Sequence, residues 1–359
     1  MASKRSSSIG FGIVGLGNIA DFHALASRAL RGGRLHSCFS GNPEKAEAFA
    51  AKHGCRPISN WRQFLDDPDL DVVTVATPSG AHLKPAAAAA RAGKHVVIEK
   101  PIEVTPARCR RLVAACRKHR VKLVAVFQSR FGDPAQAMKK AIDERRLGRL
   151  VNGSAYVKWY RDQAYYDSGA WRGTWELDGG GCLMNQGIHT VDLLVWLMGD
   201  PVEVSAYASR PTRKRIEVET NLVANVVYRT GALGVIEAST EIRPGYAKEI
   251  QVSGTAGSMS MVEDRIARWD FVAPRAADKK VIQTLGTGEA SAGGAADPLA
   301  ISFDGHRRQF QELVDVLKGK RKRLTCDGAE GVRSVRVIDA IYRSAREGKP
   351  VRLRDSGSK

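Results

Sequence analysis

The sequence predicts two domains. An α/β domain with a doubly wound parallel sheet is expected over residues 9–128, an α+β domain with an open, mainly antiparallel sheet over 129–359, and a disordered tail over 1–8. Three observations lead there. A glycine turn, Gly15-Leu16-Gly17-Asn18-Ile19-Ala20, directly follows an apolar, strand-like run. Strand-like and helix-like segments then alternate to about residue 128, the pattern of βαβ units and so of a parallel sheet. Beyond residue 130 the texture changes to longer segments in which polar and apolar residues alternate.

Ile9–Val14 reads as an apolar strand, Ala20–Leu30 as a helix and Arg34–Phe39 as a second strand. Pro43–His53 follows as a helix, with Pro43 suited to a first helical position. Asp71–Ala76 is a β-branched strand, Ser79–Ala92 an alanine-rich helix and His95–Ile98 a strand. Thr105–His119 is expected as a helix capped by Thr105, and Val121–Phe127 as the last strand of this half. A helix over Pro134–Arg146 leads into strands at Val151–Tyr160, Val202–Ser209, Asn221–Arg229, Ala232–Thr240, Lys248–Ser253 and Ser258–Val262, with one helix, Gly187–Met198, inserted. Residues 275–300 read as a loop, and helices over Phe303–Leu317 and Ala329–Glu347 close the chain.

With 359 residues and 43% hydrophobic content the chain can bury a sizeable core. No run approaches the roughly 18 consecutive apolar residues that span a bilayer. The basic Met1–Ser8, the apolar Ile9–Ile19 and Ala24-Leu25-Ala26 together mimic a cleavable leader, but cleavage there would delete the glycine turn. The expectation is therefore a cytoplasmic protein. Its six cysteines form no C-x-x-C pair and no Cys/His cluster at zinc spacing, so free thiols and no metal site are expected. The formal charge of +18 comes partly from clusters: Lys139-Lys140 with Arg145, Arg146 and Arg149, then Arg213-Lys214-Arg215, and Lys318 through Arg323. A nucleic-acid binder would interleave aromatics among them or carry a recognisable motif, and neither is present. Solvated helix ends and loops explain the clusters, and steering of an anionic, phosphorylated or nucleotide-linked sugar is the other reading.

In a strand–turn–helix context, Gly15-x-Gly17-x-x-Ala20 lets the backbone approach a pyrophosphate, which rests on the helix N-terminus. The plain alternative is an ordinary tight turn. The second strand of such a site normally ends in an acid that holds the adenine ribose; here it ends Cys38-Phe39-Ser40-Gly41-Asn42. Ser40 and Asn42 remain able to bond ribose hydroxyls, and without a carboxylate a 2′-phosphate is not repelled. NAD and NADP both stay open. Thr77-Pro78-Ser79 ends the third strand at the carboxyl edge where ligands bind, and His82 lies one turn further on as a structural or cofactor-edge residue. Glu99-Lys100-Pro101 ends the next strand, where a lysine beside a cofactor cleft can lower the pKa of a substrate hydroxyl as hydride leaves. Further on, Gly179-Gly180-Gly181 precedes Asn185 and His189, spaced to share a helix face. Asp192 is placed to hold the other ring nitrogen of His189. The glycines would admit close approach of a ligand to backbone. A histidine on an apolar helix is otherwise a buried structural group.

The glycine turn, Thr77-Pro78, Glu99-Lys100-Pro101 and the Gly-Gly-Gly…Asn…His…Asp-Leu-Leu-x-Trp-Leu-x-Gly stretch resemble the Gfo/Idh/MocA oxidoreductases. The likeness runs nearly end to end, including Ile341-Tyr342-Arg343-Ser344-Ala345. It implies a Rossmann domain, then an α/β domain whose open sheet often forms the oligomer interface, giving a homodimer or homotetramer. It assigns Lys100 and His189 as catalytic, and Gly15, Gly17, Asn18, Ile19, Ser40, Thr77, Pro78, His82, Glu99, Lys100 and Gln128 to the cofactor. Many members carry Asp where Asn185 stands; Asn185 cannot accept a proton, so its implied role is positioning substrate. Trp159-Tyr160-Arg161 through Tyr165-Tyr166 and Trp171-Arg172-Gly173-Thr174-Trp175 look most like the UDP-N-acetylglucosaminuronate 3-dehydrogenase branch, which oxidises a sugar at C3 with NAD. Arg161, Tyr166, Trp171 and Arg172 are accordingly expected at a sugar, with rings on its apolar faces and an arginine on a carboxylate or phosphate. Plain packing of Trp171 and Trp175, spaced i, i+4, is the alternative.

The reading is an NAD(P)-dependent dehydrogenase of a sugar, sugar acid, nucleotide sugar or cyclitol bound between the domains, with His189 accepting the hydroxyl proton and Lys100 stabilising the oxyanion. Two rivals are a glycosidase that retains NAD and oxidises C3 transiently, and a non-catalytic cofactor-binding regulator.

Overall fold

In the computed structural model, residues 8–209, 213–286 and 302–353 are described. Nearly all of the expected tail and residues 287–300 of the expected loop lie outside them. The chain divides into two compact units, Met1–Gln128 with Ser302–Val332, and Ser129–Ile301 with Arg333–Lys359.

The first unit holds a six-stranded parallel sheet in the order β3-β2-β1-β4-β5-β6. Its strands are β1 (Ile9–Val14), β2 (Gly33–Phe39), β3 (Arg56–Ile58), β4 (Val72–Val75), β5 (His95–Ile98) and β6 (Leu123–Ala125). The strand order reverses beside β1, so the carboxyl ends of β1 and β4 flank the crevice where such folds take ligands. Helices α1 (Asn18–Arg28), α2 (Pro43–His53), α3 (Trp61–Asp66), α4 (Leu83–Arg91) and α5 (Pro106–Lys118) connect the strands. The side chains of Asn42 and Thr105 cap α2 and α5 by accepting N–H groups of Lys45 and Arg108, and a proline opens each helix. The short β3 and α3 escape the pattern reading, because three or six residues carry too little periodicity.

The expected second boundary needs correction. Residues 302–332 cluster with the first unit, because the helix Asp304–Leu317 buries Phe310, Leu313 and Val314 against Phe11, Val72, Val97 and Val124. Phe310 and Phe11 stack with ring centroids 6.0 Å apart.

The second unit carries an eight-stranded sheet in the order β13-β12-β11-β7-β10-β9-β8-β14. It is antiparallel except where β7 (Leu150–Lys158) pairs with β10 (Leu233–Ser239). The others are β8 (Pro201–Ala208), β9 (Asn221–Tyr228), β11 (Glu249–Gly254), β12 (Gly257–Val262), β13 (Arg265–Phe271) and β14 (Val351–Arg352). In β9 Leu222, Ala224, Val226 and Tyr228 are buried while Val223 and Asn225 are exposed, so one face of this region is packed and the other is open. Helix α6 (Asp133–Asp143) precedes β7, and a short α7 (Gln163–Asp167) follows it. Helix α8 (Ile188–Met198) is apolar nearly all round and lies on the packed face. A Cβ at Gly153 of β7 would stand 2.6 Å from the Met198 side chain. Residues 276–285 of the expected loop form α9. It is anchored by Asp278, which accepts from Arg146 and from the indole N–H of Trp269 at 2.8 Å.

All six cysteines are free. Each basic cluster has a member paired with an acid: Lys139 with Asp143, Arg146 with Asp278, Arg215 with Asp167 and Arg321 with Glu312. Among the described residues no helix is long and apolar enough to cross a membrane.

Because Phe310 is wholly buried in the core of the first unit, Phe310→Ala is expected to cost about 3–5 kcal/mol. The check is a denaturant titration followed by hydrogen exchange, with the loss appearing over residues 9–128.

Candidate active site

The glycine turn has the shape a pyrophosphate needs. Gly15 sits at φ +88°, and a Cβ there would lie 2.6 Å from Ala76 and Thr77 backbone atoms, so only glycine fits between β1 and β4. A Cβ on Gly17 would meet nothing within 4 Å; open space faces the first free N–H groups of α1 at Asn18 and Ile19. Ala20 is fully buried against Ile13, Ala24 and Cys38, which lets helix and strand pack closely. These residues fit a bound dinucleotide. At the end of β2, Ser40 Oγ accepts the Asn42 N–H at 3.2 Å, and Asn42 Oδ1 caps α2, so this corner is a formed turn with the Ser40 hydroxyl hydrogen left to donate. Gln128 begins a short 3₁₀ turn after β6 and backs onto Gly305, whose Cβ would come within 2.9 Å of the Gln128 carbonyl oxygen.

Lys100 is half-buried in the turn two residues beyond β5, and its neighbours hold it on both sides. Glu99 Oε2 accepts the Lys100 N–H at 3.0 Å, while Glu99 Oε1 lies 2.8 Å from Nε2 of His23 and 3.6 Å from Nε2 of His306. On the other side, one ring nitrogen of His82 lies 2.9 Å from the Pro101 carbonyl oxygen and the second 2.8 Å from that of Thr77. His82 therefore straps the β4 loop to the β5 loop. The ring is buried and both its nitrogens face backbone, the structural half of what was expected of it. Glu99 faces inward likewise. Its carboxylate is buried and committed to His23 and Lys100, so it supports the turn from behind. Burial would raise the Glu99 pKa, but the hydrogen bond with His23 and the nearby His306 imidazole outweigh it and hold the carboxyl well below its usual range. Burial also pushes the His306 imidazole below its ordinary value, against the pull of Glu99. Behind the turn, Glu103 accepts both Arg108 Nε at 2.6 Å and the Leu83 N–H at 2.9 Å.

In the second unit the glycine–histidine segment turns on another buried carboxylate. Glu219 accepts N–H groups of Gly181 at 2.9 Å and Leu183 at 3.0 Å, and the Tyr342 hydroxyl donates to it at 2.7 Å. Burial raises its pKa. A Cβ at Gly181 would stand 1.8 Å from the Glu219 carbonyl oxygen, and one at Gly180 2.2 Å from the Tyr342 hydroxyl. These two glycines are thus required by protein packing, where the sequence reading gave them to a ligand. From here Cys182–Gly187 forms a π-turn that runs into α8, with Asn185 in the turn and His189, half-buried, in the first turn of α8. Such π-turns recur at functional sites. Asn185 Nδ2 donates to Asp178, whose other oxygen accepts the Gly173 N–H at 2.9 Å. Asp192 does not have the role expected of it. Its oxygens take Arg130 Nε and Nη2 at 2.7 Å each and the Ser334 hydroxyl at 2.8 Å, a buried pair that anchors α8.

The aromatic segment divides. The Arg172 guanidinium lies 4.3 Å from the Tyr165 ring centroid and 4.6 Å from that of Trp171, and donates to the Tyr165 hydroxyl at 2.6 Å. Gln186 donates to the same hydroxyl at 2.6 Å. Arg172, Trp171 and Gln186 are all half-buried, as groups that meet a ligand must be. Tyr166 is instead buried with its hydroxyl on Thr240 Oγ1 at 2.9 Å, and Arg161 is buried and donates to the Tyr160 carbonyl at 2.8 Å. Trp175 packs its ring edge-on against Tyr342, 5.3 Å between centroids, and not against Trp171.

His23, His306, Asp178, Glu219 and Tyr342 were not singled out as site residues by the sequence. All but Asp178 act across a large gap in the chain, such as 38 residues between Gly181 and Glu219, and no local pattern marks such a partner.

Comparison with known proteins places these features. Residues 9–127 match the oxidoreductase family profile with an NAD-binding Rossmann fold, and residues 135–260 match the GFO/IDH/MocA C-terminal domain profile. The WlbA dehydrogenase from Bordetella pertussis, solved in complex with NADH and UDP-GlcNAcA, superposes with a TM-score of 0.84 at 35% identity, covering 97% of this chain and 100% of that one. Levoglucosan dehydrogenase from Pseudarthrobacter phenanthrenivorans is 28% identical over 69% of this chain and 70% of its own length. Inositol 2-dehydrogenase from Rhizobium meliloti is 25% identical over 96% and 99%.

Two outcomes follow from the buried carboxylates. Gly181→Ala is expected to disrupt the segment that carries Asn185 and His189 while NAD binding survives, checked by cofactor titration beside turnover. Glu99, with its pKa depressed in the fold, stabilises the protein above the unfolded carboxyl value of about 4.3, and that contribution is lost as pH falls. His306, whose pKa burial pushes down, adds a loss in the same direction as pH falls below the unfolded value of about 6.5. Urea midpoints measured from pH 7 to pH 3.5 should fall less steeply for Glu99→Gln than for the native chain.

Proposed function

Because the chain belongs to the Gfo/Idh/MocA oxidoreductase family, we propose that it is an NAD-dependent dehydrogenase oxidising a secondary hydroxyl of a sugar-type substrate. The observation that carries this reading is Lys100, held on both sides at the carboxyl edge of an NAD-binding sheet. When bound, the cofactor supplies the hydride acceptor. Gly15, Gly17 and the N–H groups opening α1 hold its pyrophosphate, Ser40 meets the ribose, and Thr77, Pro78 and Gln128 border the edge on which it lies. The Lys100 ammonium stabilises negative charge developing on the reacting oxygen, and His189 takes the hydroxyl proton. Asn185, oriented by Asp178, positions the substrate by hydrogen bonds.

A nucleotide-linked sugar acid is the substrate class we favour. The net charge of +18 attracts an anion. Arg172, flanked by Tyr165 and Trp171, offers a planar donor for a carboxylate or phosphate, with Trp171 beside it for an apolar sugar face. The WlbA relative was solved with such a compound. We further propose a homodimer or homotetramer through the second sheet, whose open face exposes Tyr207, Val223 and Leu233. Six free thiols and the cofactor suit the cytoplasm.

The test is a panel of UDP-uronates, free hexoses, inositols and anhydrosugars with NAD and with NADP, followed at 340 nm. On the sugar that turns over, Lys100→Ala is expected to lower kcat by about 10²–10⁴-fold with NAD affinity within about threefold. Unchanged turnover would reject the role given to Lys100.

A further inference from the structure

We propose that His23 and His306 are positioning residues for Lys100, acting through the buried carboxylate of Glu99. The proposal rests on the catalytic role given to Lys100 above.

The three groups come from distant parts of the chain. His23 lies on α1, the helix that opens at the glycine turn, Glu99 directly follows β5, and His306 stands in the first turn of the helix Asp304–Leu317. Both imidazoles are fully buried, with ring centroids 5.6 Å apart, and Phe310 meets His23 edge-on at 5.2 Å. An apolar trio of similar volume would fill this space at less cost, since taking a carboxylate out of water is expensive. What the carboxylate adds is direction. One oxygen meets His23 Nε2 at 2.8 Å and faces His306 Nε2 at 3.6 Å; the other accepts the backbone N–H of Lys100 at 3.0 Å. His23 sets the plane of the carboxylate through its hydrogen bond, His306 closes the same side at 3.6 Å, and the carboxylate sets the peptide that presents Lys100. Because α1 carries both His23 and the cofactor turn, the lysine is referenced to the same helix as the pyrophosphate. A catalytic group displaced by about 1 Å can lose 10²-fold in rate, so such referencing has kinetic consequences.

The three donor atoms lie within 4.8 Å of one another and also make a set that a metal ion could occupy. The direct 2.8 Å contact between His23 and Glu99 favours a shared proton.

The test uses the full-length, NAD-loaded protein and compares His23→Leu, His23→Gln and His306→Leu. Two quantities are read: hydrogen exchange of the Lys100 amide, and kcat and KM on the sugar found by the panel. His23→Leu is expected to speed Lys100 amide exchange and lower kcat, each by about tenfold or more, with KM for NAD and sugar within about threefold. His23→Gln keeps an N–H that can reach Glu99 and should restore most of kcat, a rescue that loss of packing would not give. If His23→Leu does not fold, His306→Leu carries the comparison, with the same direction in both readouts. Folded leucine variants with native amide exchange and native kcat would overturn the proposal. So would a stoichiometric transition metal in the purified enzyme whose removal accounts for the lost activity. If Lys100→Ala itself keeps turnover, the catalytic reading fails, and amide exchange alone then decides whether the clamp exists.

Discussion

A carboxylate removed from water has to be met by donors that cannot move away, and one such group stands behind each reactive segment of this chain. In the first unit it is Glu99, bound to His23 and to the peptide of Lys100. In the second it is Glu219, bound to the peptides of Gly181 and Leu183 and to Tyr342. Both are costly in isolation. Each is affordable because the backbone supplies part of the solvation, and that same bonding removes freedom from the loop that carries the reactive residue. Rigidity at the site and burial of charge beneath it are one phenomenon.

The two units solve this with different backbone means. The β5 turn is braced by side chains, Glu99 on one flank and His82 on the other. The π-turn is braced by close approach, since Gly180 and Gly181 let Tyr342 and β9-proximal backbone come nearer than any Cβ would allow. A second buried pair, Arg130 with Asp192, then seats the otherwise apolar α8.

Much of this was legible in the sequence, and the limits have physical causes. The parallel sheet followed from alternation of strand and helix patterns, and Pro43 and Thr105 marked helix starts correctly because capping is a local interaction. The family followed from short motifs at wide spacing. Asp192 was misread because its spacing from His189 suits a hydrogen bond, while Arg130, 62 residues earlier, competes for the same oxygens with a stronger pairing. An aromatic such as Tyr166 beside arginines looks the same in sequence whether its ring faces a ligand or the core; in the fold its hydroxyl meets Thr240. His23 and His306 carried no signal, since only the fold brings residues so far apart to one carboxylate.

The return of residues 302–332 to the first unit bears on how the protein is made. The parallel sheet leaves the ribosome well before the helix that covers Phe11 and Val72 has been made. At about 5–20 residues per second, the apolar face of that sheet waits roughly 10–40 s for its cover. During synthesis the nascent sheet is thus a natural client for chaperones, and a chain cut short before Asp304 would be left with an uncovered core.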